Sequence, residues 1–194
     1  MRWDESTSTN DRGFTIVEVL IAMLLLAITS LGVAGLFGMT IRATHAARNQ
    51  TSTAVLASQK MEQLRALTWG FDNSGQYLPV SDTTTNLALM PPDNTGEGLN
   101  PSPDSSLDQN TSGYVDYLNA RGQYIGTGAT PPAETMFIRR WRIQPLPTNP
   151  NNTLVIQVLV TTAKRERDLQ SGLTNRKRYA DDALITTVKT RKAN

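Results

Sequence analysis

Between Val19 and Ile41 the chain runs for 23 residues without a charge. At about 1.5 Å rise per residue, an apolar helix of about 20 residues crosses a bilayer core of about 30 Å. This stretch therefore commits the chain to a membrane at some stage of its life. It is entered through Gly13-Phe14-Thr15-Ile16-Val17-Glu18, and Glu18 is the anomaly. A charged side chain in a spanning helix costs roughly 2.5–3.5 kcal/mol on insertion scales and is functional by default. Lying only about a turn inside the run, Glu18 can snorkel and suffer less. A plainer account starts the helix at Val19, with Glu18 as a first-turn acid favoured by the helix dipole. That account leaves the apolar Phe14, Ile16 and Val17 unexplained.

The segment Arg12-Gly13-Phe14-Thr15-Ile16-Val17-Glu18-Val19-Leu20-Ile21-Ala22 resembles the N-terminal signature of type IV prepilins and pseudopilins. The motif itself covers only the N-terminal part of the chain but is specific. Apolar helices are common, whereas a glycine, an aromatic and a carboxylate at these offsets are not. It implies a leader over residues 1–13, cleavage between Gly13 and Phe14 by prepilin peptidase, and N-methylation of Phe14. Glu18 then becomes the fifth residue of the mature chain. The implied partners are that peptidase, the inner membrane before assembly, and other pilins or pseudopilins along the N-terminal helix. The implied location is the bacterial inner membrane, single-pass, with the C-terminal domain outside the cytoplasm, and afterwards a pilus or periplasmic pseudopilus.

A physical reason for the carboxylate follows from that resemblance. Cleavage leaves a cationic amine on Phe14 in apolar surroundings, and a buried charge is costly without a partner. The Glu18 carboxylate of an adjoining subunit supplies one, and fixing register is the best-attested use of such a pair. Glu18 is thus expected to set subunit register during assembly.

The rest of the composition narrows the field. The chain has no cysteine, so disulfides, thiolate metal sites and cysteine nucleophiles are excluded. Residues 1–13 are polar, with Asp4, Glu5 and Asp11 beside Arg2 and Arg12. They lack the apolar region of a conventional secretory signal. Arg42 and Arg48 lie beyond the span, so charge bias across it is weak and orientation rests on the resemblance.

The expected fold is α+β, a long N-terminal helix packed on a small C-terminal antiparallel sheet. Residues 14–41 form the transmembrane or filament-core helix, and 42–69 an amphipathic continuation. Ala43, Ala47, Ala54, Ala57, Met61 and Leu64 make the apolar stripe, with Lys60 largely off it. Trp69-Gly70 is expected to end the helix. Gly32, Gly35 and Gly38 mark the stretch readiest to bend, since glycine costs about 1 kcal/mol in a helix interior.

Residues 70–134 read as a long acidic loop region, with Gly113–Leu118 as the exception able to form a short strand or turn. Residues 135–194 read as a C-terminal antiparallel sheet. Its strands are Met136–Gln144, Thr153–Thr162 and Leu184–Thr190, with Leu184 and Val188 inward. In the first of these, Arg139 falls on the apolar face. The links, including Lys164–Asp182, read as turns.

Catalytic chemistry is not evident. His45 is the single histidine, and no Ser-His-Asp set, HExxH, Walker loop or GxGxxG occurs. The chain is not expected to be an enzyme or to carry a cofactor. Asp93, Glu97, Asp104 and Asp108 match no cation-ligand spacing, so no metal site is expected. Lys164, Arg165 and Arg167, with Arg176, Lys177, Arg178 and Tyr179, form the best candidate patch for a polyanion such as nucleic acid. The bland reading is a solvated hairpin loop.

The stretch around Met61, the pair Arg139-Arg140 before Trp141 and the terminal strands resemble PilV-type minor pilins, which are associated with priming or capping a fibre. A minor type IV pilin is therefore expected. A minor pseudopilin of a type II secretion system is the alternative, and a membrane-anchored polyanion-binding protein that never polymerises is a further one.

Overall fold

The computed structural model describes residues 13–71, 79–81, 96–172 and 179–191. Leader residues 1–12, Asp93 and the basic run Arg176–Arg178 lie outside them. The chain divides into two compact units, Met1–His45 and Ala46–Asn194.

The first unit is the N-terminal part of α1 (Ile16–Ala66). Helix persists through Gly32, Gly35 and Gly38, where the sequence marked the readiest point to unwind. Thr29 donates its hydroxyl to the carbonyls of Leu25 and Leu26, and Thr40 to that of Leu36, each at 2.9 Å. Both hydroxyls are thereby satisfied inside the helix.

In the second unit α1 buries Thr53, Leu56, Ala57, Lys60, Met61 and Leu64. The stripe is rotated from the expected one. Ala47 and Ala54 are exposed, and Lys60, expected outside it, is only 1% exposed. Burial of Lys60 is compensated by a carboxylate on the sheet. The helix stops at Ala66, before Trp69-Gly70. Its end is closed by the Lys189 ammonium, which donates to the carbonyls of Arg65 and Leu67, the latter at 2.8 Å.

β1 (Trp69–Phe71) and β2 (Pro79–Ser81) form a short antiparallel ribbon. The main sheet holds β3 (Val115–Leu118), β4 (Tyr124–Gly126), β5 (Phe137–Pro145), β6 (Thr153–Thr162) and β7 (Ala183–Thr190). Its order is β4-β3-β5-β6-β7, and every neighbouring pair is antiparallel. The α+β expectation holds, and the expected three-strand meander is β5-β6-β7. The region read as loop adds β3, β4, the ribbon and a 3-10 turn at Asp104–Leu107.

One face of the sheet meets α1. Phe137, Trp141, Ile143, Leu154, Ile156, Val158 and Val160 pack with Leu56, Ala57, Met61 and Leu64. The opposite face carries a smaller cluster of Val115, Tyr117 and Ile138. There Arg140 bonds Asn110 Oδ1 and reaches Glu166 at 3.0 Å.

Two further expectations are corrected. The link Lys164–Asp182 contains a helix, α2 (Ala163–Gln170), because Thr162 supplies an N-cap to the Arg165 N–H at 3.5 Å. β7 is also flipped. Leu184 and Val188 point outward at 47% and 56% exposure, whereas Ala183 and Ile185 pack on the core. Pairing with Val160 and Val158 places the latter two on the α1 face.

Candidate functional site

The N-terminal motif enters the helix at Ile16. Gly13, Phe14 and Thr15 precede α1, and Glu18 sits in its first turn. The Glu18 N–H donates to Thr15 Oγ1 at 3.3 Å, and the Val19 N–H to the Thr15 carbonyl at 3.2 Å. Thr15 is therefore the N-cap. The T-x-x-E spacing of Thr15 and Glu18 is the sequence signature of a capping box. Phe14 is 81% exposed, and a side chain added at Gly13 would meet nothing within 4 Å. Among the described residues nothing covers the Gly13–Phe14 peptide.

Beyond Glu18 the helix presents bare apolar surface. Leu20, Met23, Leu24, Leu26, Leu31, Leu36, Phe37 and Met39 are all exposed. The segment is long and apolar enough to cross a membrane, and none of its most apolar window is buried by the chain itself. A surface of this kind is covered by lipid or by other apolar helices.

The second unit gathers ions in its interior. Arg139 grips Asp116 in a bidentate pair, Nε to Oδ1 at 2.8 Å and a terminal nitrogen to Oδ2 at 2.9 Å. Lys60 Nζ meets the same Oδ2 at 3.0 Å and lies 3.9 Å from the centre of the Trp141 ring. Arg139 also donates to the Leu56 carbonyl at 3.3 Å. The cluster joins α1, β3 and β5. Arg139 on an apolar face was its sequence signal, but nothing in the sequence named Lys60 and Asp116 as the partners.

Of the candidate polyanion patch, Lys164, Arg165 and Arg167 are described and Arg176, Lys177 and Arg178 lie outside the described residues. Lys164 and Arg167 are exposed, but Arg165 is buried and pairs with Asp182 at 3.2 Å. Of the acidic loop residues, Glu97 accepts from Asn100 and the Asp104 carboxylate accepts from Gln144. Among the described residues no three potential metal ligands come together.

Residues 8–34 match the family model of the prokaryotic N-terminal methylation motif, which takes in Gly13, Phe14, Thr15 and Glu18. The match supports a protein of the type IV pilin or pseudopilin kind, and implies prepilin peptidase processing and pilin assembly in general terms. With the exposed apolar helix it fits membrane anchoring. No curated protein and no solved structure matches the chain.

Proposed function

We propose that the chain is a minor type IV pilin. Prepilin peptidase cuts it between Gly13 and Phe14 and methylates the Phe14 amine. The product is held in the inner membrane by the Val19–Ile41 helix, with the C-terminal domain outside the cytoplasm, until it enters or primes a pilus. It acts by docking, not catalysis. The observation that carries this reading is a lone carboxylate, Glu18, at the entry of an exposed apolar helix, a fixed step after an accessible Gly13–Phe14 bond. The Met61 stretch and Arg139-Arg140 before Trp141 favour the PilV-type group within that class.

Mass spectrometry of the membrane-derived protein should find a chain beginning at N-methylated Phe14. A chain beginning at Met1 overturns the reading and favours the tethered polyanion binder. Recovery with a secretion pseudopilus in place of sheared pili moves it to a type II pseudopilin. Glu18→Ala should lower incorporation into filaments at least tenfold, because a buried amine stripped of its partner costs roughly 3–5 kcal/mol. Normal incorporation removes Glu18 from the register role.

A further inference from the structure

The Thr15 hydroxyl sits where it decides how far α1 reaches toward the scissile bond. The helix starts at Ile16, and its first i→i−4 bond runs from the Val19 N–H to the Thr15 carbonyl. One residue further out, the next such bond would join the Glu18 N–H to the Phe14 carbonyl. That N–H is already donated to Thr15 Oγ1. The following bond would join the Val17 N–H to the Gly13 carbonyl, the carbonyl of the cleaved peptide itself. The cap therefore competes for the donor that helix growth over Phe14 and Gly13 requires first.

We propose that Thr15 is a positioning residue for maturation, an N-cap that keeps the Gly13–Phe14 peptide out of the helix and open to the peptidase. This rests on the processing proposed above. A backbone segment held in helical hydrogen bonds has to open before it is cut, so cleavage follows the open population. At the edge of a bilayer an uncapped N–H does not stay bare, because unsatisfied backbone groups are costly there. Once the hydroxyl is removed, the Phe14 carbonyl is the i−4 acceptor for the Glu18 N–H, and the helix grows across the bond to be cut. The role is separate from that of the Glu18 carboxylate, since it uses only the Glu18 main-chain N–H.

The test compares cleavage rates of the full-length precursor in membranes with prepilin peptidase, for wild type, Thr15→Val, Thr15→Ser and Thr15→Asn. Valine keeps the shape and lacks the acceptor, serine keeps the hydroxyl, and asparagine caps without one. Thr15→Val should be cut about fivefold more slowly, the factor of an ordinary N-cap, with serine and asparagine both restoring the rate. Wild-type or faster cutting of Thr15→Val overturns the inference. Rescue by serine alone also overturns it, because the enzyme would then be reading the hydroxyl directly. An uncut wild-type chain has a different meaning, namely that the processing reading itself has failed.

Discussion

Asp116 is the residue on which the interior of the second unit is balanced. It is the carboxylate shared by Lys60 and Arg139, and all three side chains are nearly inaccessible. Burial by itself would raise the Asp116 pKa, but the Lys60 and Arg139 cations more than reverse this and hold it below the ordinary 3.8. Lys60 is lowered from 10.5 by its burial, against the opposing pull of Asp116. The two signs differ in consequence. An acid with a depressed folded pKa lends stability above its unfolded value, and that stability drains away as pH falls through the folded value. A buried lysine with a depressed pKa releases its proton earlier in the folded state, so its contribution rises with pH below 10.5. The weak flank is therefore the acid one. Asp116→Ala should cost roughly 3–5 kcal/mol in denaturant unfolding, because two buried cations lose their counter-ion. The wild type should lose stability steeply below pH 3.8, and the variant should show a flatter acid limb. Equal acid limbs would assign the stability to other groups.

At the scale of elements, β7 offers a test of register. Leu184 faces out and should tolerate threonine within about 0.5 kcal/mol, as surface sites do. Ile156, fully buried in β6, should cost roughly 2–5 kcal/mol on change to alanine. A loss at Leu184 as large as that at Ile156 in chemical denaturation would mean that Leu184, not Ile185, faces the core. The sequence misread this strand because its own pattern is degenerate. Ala183 and Ile185 serve one face and Leu184 and Val188 the other, so alternation supports both registers equally. The unambiguous row Leu154, Ile156, Val158 and Val160 on β6 decides it through pairing, which is long-range information. β3 escaped a firm assignment for a related reason. It is only four residues long and buried on both faces, so even its charged Asp116 points inward and no solvent-facing row marks it. α2 is short and charged, and only its Thr162 cap signals it. The N-terminal motif was legible because its chemistry is linear, with glycine, aromatic and carboxylate all within six residues. Lys60 and Asp116 were illegible because a buried charge is recognised by its partner, here 56 residues away in the chain.

Over the whole molecule, the two units satisfy opposite solvents. The first buries none of its large apolar side chains, from Phe14 to Ile41. The second has its own core, in which α1 contributes Leu56, Ala57, Met61 and Leu64 to the sheet face. Thr53 also ties α1 to the approach of β7 by a 2.7 Å bond to the Asp181 carbonyl. What the second unit needs from the helix thus begins at Thr53, inside its boundary at Ala46. A chain starting at Ala46 should remain in the aqueous phase and unfold in one cooperative transition, whereas the full chain should partition into membranes. A chain starting at Met61 loses Leu56, Ala57 and Lys60 together. It opens the apolar face of β5 and β6 to water and removes one of the two cations on Asp116, so it should aggregate. Sedimentation and thermal unfolding of the two truncations separate these outcomes. Cooperative folding of the Met61 fragment would mean that the sheet needs no cover from α1, and that the buried ion cluster does not hold helix to sheet.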